Sequence, residues 1–160
     1  MCWTPLYACF NLVVAAVDLS RRRVANAVIL AGLLAQSLWL LAAATLDISA
    51  HYALTAWQPA LFALLLVFVL LFPLWKLRLM GAGDVKYLAV LGYAIGAAQL
   101  LPVVLIASLL AGGHAVLVVS SRYSPGLALR IGRNPAWRRI PYAAYLALAA
   151  LACLAWALWQ

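Results

Sequence analysis

The run MGAGDVKYLAVLG, residues 80–92, sets an aspartate, Asp84, between a Gly-Ala-Gly triplet and an apolar stretch of helical character. Each glycine costs about 1 kcal/mol relative to alanine inside a helix, so the triplet predicts a break in helical backbone. A new helix is then expected to begin at Asp84, where the helix dipole favours a negative charge. The rest of the chain makes this carboxylate unusual. Of 160 residues, 69% are hydrophobic, and only Asp18, Asp47 and Asp84 are acidic. Mean hydropathy is +1.08. A soluble domain of this length has too little interior for so much apolar side chain. The composition therefore predicts an all-α, polytopic integral-membrane domain over residues 1–160, with the lipid bilayer as its solvent.

Working outward from that run, apolar stretches predict six transmembrane helices, at about 3–19, 25–46, 56–75, 84–97, 99–120 and 140–159. The basic residues sort by loop. Arg21, Arg22 and Arg23 follow the first helix. Lys76, Arg78 and Lys86 surround the turn between the third and fourth, and Arg122, Arg130, Arg133, Arg138 and Arg139 lie between the fifth and sixth. These are all 11 Lys and Arg residues of the chain. The positive-inside rule then places both termini outside the cytoplasm and the three basic segments within it. The net charge of +8 is explained by loops facing anionic lipid, and no aromatic-and-basic module for nucleic acid is visible. The start of the chain is not an ordinary signal peptide, because its positive charge follows the first apolar run instead of preceding it.

This topology puts Asp18 and Asp84 on the cytoplasmic side. Asp47 falls on the other side with His51, as solvated loop residues. Counting back ~20 residues from an outer turn near Gly96, at 1.5 Å each across a ~30 Å hydrocarbon core, leaves Asp84 recessed by roughly 10 Å. Asp18 reaches a similar depth. Charge at that depth needs a wet cavity or a polar partner, and one shared pocket is the simplest arrangement for both acids. Non-helical backbone at Gly81–Gly83 is tolerable if it lines such a cavity, and the missing Cβ atoms let a substrate backbone approach. Two carboxylates at hydrogen-bonding distance share a proton. One can activate water while the other polarises a peptide carbonyl, which is the chemistry of aspartic proteases.

Plainer readings stand beside this one. Taken without Asp84, Asp18 reads as a helix-end residue pairing with Arg21 or Arg22. Lys86, two residues past Asp84, points to nearly the opposite helix face and is expected to reach for headgroups. Asn26 reads as an early-turn helix residue. Pro73 is expected to bend or end the third helix, and Pro102 to sit in the first turn of the fifth. Trp3, Trp57, Trp75, Trp137, Trp156 and Trp159 read as an interfacial belt. Gly112 and Gly113 suggest close helix packing, with His114 as a hydrogen-bonded packing residue. Cys2, Cys9 and Cys153 form no CxxC pair and have no histidine at ligand spacing, so neither a metal nor another cofactor is expected.

The segments AAVDLSRRRVANAVILAGLL (15–34) and MGAGDVKYLAVLG (80–92) together resemble the two aspartate motifs of type IV prepilin peptidases. The likeness is closest to the short forms associated with tight-adherence (Flp) pili. The second motif, Gly-x-Gly-Asp-x-Lys, is intact as Gly81, Gly83, Asp84 and Lys86. The first has Asp18, the arginine triplet and Asn26, with Ala25 where proline is usual. RRIPYAAYLALAALA (138–152) resembles the family's last helix, with Ala143 where glycine is common. The resemblance implies an intramembrane aspartic endopeptidase of the bacterial inner membrane with Asp18 and Asp84 as its dyad. It implies prepilin substrates, cut on the cytoplasmic side between a short basic leader and an apolar helix. Larger relatives add a zinc-binding cytoplasmic domain and methylate the new N-terminus. Neither that domain nor methylation is expected here. Two other functions use the same residues: a small proton- or cation-coupled transporter, and a non-catalytic assembly subunit whose aspartates pair with arginines.

Overall fold

The computed structural model describes residues 3–21, 24–46, 56–121 and 140–159. Their regular elements are all α-helical: α1 (Trp3–Arg21), α2 (Asn26–Leu46), α3 (Trp57–Lys76), a long run Ala82–Ser120, and a last helix Tyr142–Trp159. The long run is not one rod. Gly96 interrupts it at φ 84 and ψ 161, a region that essentially only glycine adopts. A Cβ on Gly92 would lie 3.6 Å from Leu100 Cδ2, whereas a straight helix would separate residues eight apart by roughly 12 Å. The chain therefore folds back at Gly96 into α4 (82–95) and α5 (97–120), and Tyr142–Trp159 is α6. The turn predicted at 96–99 becomes a one-residue break, and α4 starts and ends about two residues earlier than expected. All five runs are long and apolar enough to cross a membrane. The protein is an all-α, polytopic membrane protein.

The short α4 is the centre of the bundle. Val85 and every residue from Tyr87 to Gly96 are buried. A helix that is apolar on all sides belongs in a core, and at roughly 20 Å it falls short of the ~30 Å hydrocarbon thickness. The Ala82–Ser120 run packs mainly on α3 and α6 and less on α2, while α1 packs on α6 and α2. α3 buries only Ala60, Ala63 and Val67. Against this stripe a Cβ on Gly92 would meet Val67 Cγ2 at 3.1 Å and the Ala63 carbonyl at 3.4 Å, so glycine sets the α3–α4 spacing. α6 buries Ala143, Ala144, Ala147 and Ala150, small residues that bring helices close where lipid supplies no hydrophobic drive.

Polar groups inside the bundle pair with one another, as they must where there is no water. Trp3 Nε1 donates to Gln36 Oε1 at 2.8 Å, Asn11 Nδ2 donates to the Tyr7 carbonyl at 2.8 Å, and Tyr87 OH donates to Asn11 Oδ1. Trp3 also stacks on Tyr7, with ring centroids 4.6 Å apart. It is a core residue, not a member of the expected belt. Trp57, Trp75, Trp156 and Trp159 do lie exposed near helix ends. Trp137 is outside the described residues, as are Asp47, His51, Cys2 and the arginines from 122 to 139.

Three further expectations change. Gly112 and Gly113 are exposed, and among the described residues nothing lies within 4 Å of a Cβ built on either, so they mediate no close packing there. Pro102 lies inside α5 beyond its first turn. The GAG triplet is not a helix break, as described below. Other expectations hold: α3 ends one turn after Pro73, whose carbonyl accepts the Leu77 N–H at 2.9 Å, and His114 Nδ1 hydrogen-bonds Tyr145 OH at 2.6 Å.

Candidate active site

Along α1 the buried residues Trp3, Tyr7, Asn11, Val14, Ala15 and Asp18 recur at helical spacing and form one inward stripe. Asp18 is its last member and is 6% exposed, while Leu19, Ser20 and Arg21 turn outward. Because α6 lies against α1, its first turn meets this carboxylate. The Ala144 N–H donates to Asp18 Oδ2 at 3.0 Å. First-turn amides have no carbonyl partner in their own helix, so Asp18 satisfies one of them from a neighbouring helix and gains from its dipole. Among the described residues Asp18 has no arginine partner. Its partner is a backbone amide.

Asp84 is placed by the start of α4. Gly81 is the N-cap, with ordinary extended backbone at φ −69 and ψ 141, and the helix begins at Ala82. Only Gly81 of the triplet is outside the helix. Gly83 sits in the first turn with Asp84, where the N–H groups need no intrahelical acceptor. A Cβ on Gly81 would lie 3.0 Å from Asp84 Oδ2, so the carboxylate folds back over its own N-cap. A Cβ on Gly83 would meet Val24 at 3.6 Å, which is ordinary contact.

The two acids line one cavity of about 480 Å³. Asn26, Gly81, Gly83 and Lys86 line it with them, so all six residues singled out in the sequence come to one place. Val24, Ala82, Ile140 and Tyr142 complete the wall. Lys86 does not reach away from this site as expected. Its Nζ donates to Asn26 Oδ1 at 3.0 Å and ties α4 to α2 at the exposed rim. A four-carbon stem at a helix start overcomes the unfavourable face that spacing assigns it. Arg21 and Lys76 end α1 and α3 at the same end of the bundle. The opposite ends, at Leu46, Trp57, Gly96 and Trp159, carry no charge among the described residues.

Three groups at the start of α6 were assigned no part in the site by the sequence reading: Ile140 and Tyr142 in the cavity wall, and the Ala144 amide on Asp18. Their only signal was position, at the start of the last helix after a basic segment. Among the described residues no third His, Cys, Asp or Glu joins the two aspartates. What the hollow offers is acid–base chemistry from two carboxylates, one held by a backbone amide and one at a helix start, with room for a peptide segment and water.

Residues 6–116 match the model of the type IV leader peptidase family. The chain belongs to this family and is a membrane-embedded peptidase. The matched stretch contains Asp18, Asn26, Gly81, Gly83, Asp84 and Lys86, and ends before the α6 residues that close the cavity. Searches of the curated proteins and of the solved structures return no match.

Proposed function

We propose that the protein is an aspartic endopeptidase whose dyad is Asp18 and Asp84, and that it removes the basic leader from prepilins of the tight-adherence type. The observation that carries this reading is that two acids far apart in the sequence line the same cavity. One carboxylate takes a proton from water, and the water oxygen attacks the scissile carbonyl. The other, protonated, donates to the carbonyl oxygen. Collapse of the tetrahedral intermediate breaks the C–N bond and sends a proton to the departing amide nitrogen. Asp18 enters this sequence already oriented by Ala144. The basic residues at the cavity end favour its facing the cytoplasm of the bacterial inner membrane, where a leader would be cut. A transporter reading draws no comparable support, since among the described residues no acid lies at the far end of the bundle. The proposal covers leader removal and not methylation of the new terminus; the cysteines form no CxxC pair.

The test is co-expression with a candidate prepilin, following leader loss as a mobility shift. Asp18→Asn and Asp84→Asn are each expected to slow cleavage by at least ~10²-fold, the scale of a lost general acid or base. Unimpaired cleavage by either variant, at matched membrane levels, removes the dyad.

A further inference from the structure

A second hollow adjoins the first. α3 and α5 flank α4 and leave a groove of about 320 Å³, floored by Leu88 and walled by Leu70, Leu74, Leu101 and Val104. The floor is 1% exposed, while the rims at Leu70 and Leu101 are 63% and 62% exposed. Its lining carries no charged residue. Tyr142 lines both this groove and the carboxylate cavity, and Met80, beside Gly81, lines the groove. A polar hollow with two acids thus lies next to an apolar slot, with Tyr142 in the wall of both.

A leader peptidase acts on a chain with the same order of properties: a polar leader, the cleaved bond, then an apolar helix. We infer that the groove between α3 and α5 seats the apolar substrate helix that follows the cleaved bond, with the bond itself held near Tyr142. This rests on the leader-peptidase reading above. Lipid tails are as apolar as leucine, so the helix gains from packing against a shaped surface and not from leaving water. A groove with a buried floor provides that surface. Seating the helix there also holds the bond beside the carboxylates, which makes the attack effectively unimolecular. Two other grooves compete. One of about 280 Å³, lined by Phe68, Phe72, Trp75 and Val85, also touches the carboxylate cavity through Ala82 and Lys86, but it carries the charged Lys86 in its wall. The other, of about 350 Å³ between α1 and α2, is lined by Val13 and Ala31 among others and shares no lining residue with the carboxylate cavity.

The experiment uses the full chain in native membranes with a co-expressed prepilin. A photo-crosslinking benzoylphenylalanine is placed at position 70 or 101, or at 13 or 31, in an Asp84→Asn background that retains substrate. Crosslinks to the apolar helix are expected from 70 and 101 and not from 13 and 31. Crosslinks from 13 and 31 alone, or lipid adducts alone at all four positions, overturn the groove assignment. In the active chain, Leu101→Trp is expected to raise KM about tenfold by overpacking the slot, with kcat retained; an unchanged KM also overturns it. The unsubstituted chain separates the two claims. If it cleaves no prepilin, the leader-peptidase reading fails and takes the occupant with it. If it cleaves while 70 and 101 stay silent, the groove alone fails.

Discussion

The backbone N–H of Ala144 meets Asp18 Oδ2 across 3.0 Å and joins the first turn of α6 to the last turn of α1. One acid of the proposed dyad is thereby held by a group no side-chain substitution can remove, except by proline. α6 is part of the site although it lies beyond the residues that match the family. Its alanine face lets it approach closely enough to make the bond.

Ala144→Pro deletes this donor at a position whose N–H has no acceptor within α6. A hydrogen bond to a charged group is worth ~1.5–3 kcal/mol, so kcat is expected to fall about tenfold or more. KM is expected to stay close to that of the parent, while the thermal unfolding midpoint in detergent falls with the loss of the same buried bond. Steady-state cleavage of a purified prepilin measures this, with Ala144→Gly as the control that keeps the amide. Equal kcat in the proline variant would deny the amide any orienting role.

The two motif glycines are expected to separate on substitution. A methyl at Gly81 would stand 3.0 Å from Asp84 Oδ2, and the carboxylate must give way by a few tenths of an ångström. A methyl at Gly83 meets only ordinary contact with Val24. Gly81→Ala is therefore expected to lower kcat by an order of magnitude, as misplacing a reacting group does. Gly83→Ala is expected to stay within a few-fold. Matched cleavage assays on both variants decide this, and equal losses would contradict it.

Lys86 and Asn26 are expected to act as a unit, since the ammonium of one donates to the amide oxygen of the other. Lys86→Met and Asn26→Ala should each slow cleavage, and the double variant should be no slower than the worse single. Residues in one hydrogen-bonded pair show such coupling, whereas independent residues add. A double-mutant cycle on kcat/KM gives the answer, and additive losses would mean the two act separately.

Gly96→Ala forces a Cβ into backbone at φ 84 and ψ 161. Strain of about 1–3 kcal/mol is expected, read as a lower unfolding midpoint in detergent. The break lies at the end of α4 away from Asp84, so cleavage per folded molecule is expected to survive. A midpoint equal to that of the parent would show that the hairpin does not need glycine there.

Much of this molecule was written along the chain. A spanning helix must satisfy its own backbone and be apolar over its length, which is a local property, so the membrane class and the six helical segments could be counted from the sequence. The sorting of basic residues is equally local, and the helices carry Arg21, Lys76 and Lys86 to one end as expected. Asp18 and Asp84 stood out because an acid in so apolar a chain needs a partner, and they do line a common cavity.

What the chain could not announce is which group lies opposite which. Every residue but proline has a backbone N–H, so nothing in the sequence marks that of Ala144; only the packing of α6 on α1 aims it at Asp18. Lys86 turns to Asn26 because α2 begins beside α4. Trp3 enters the core because Gln36 faces it, and Gly112 and Gly113 remain unpacked because, among the described residues, no helix faces them. Composition and charge act on each segment alone; they decided the solvent and set Arg21, Lys76 and Lys86 at one end of the described bundle. Contacts between segments depend on how the helices are arranged in space, and only the tertiary structure set them.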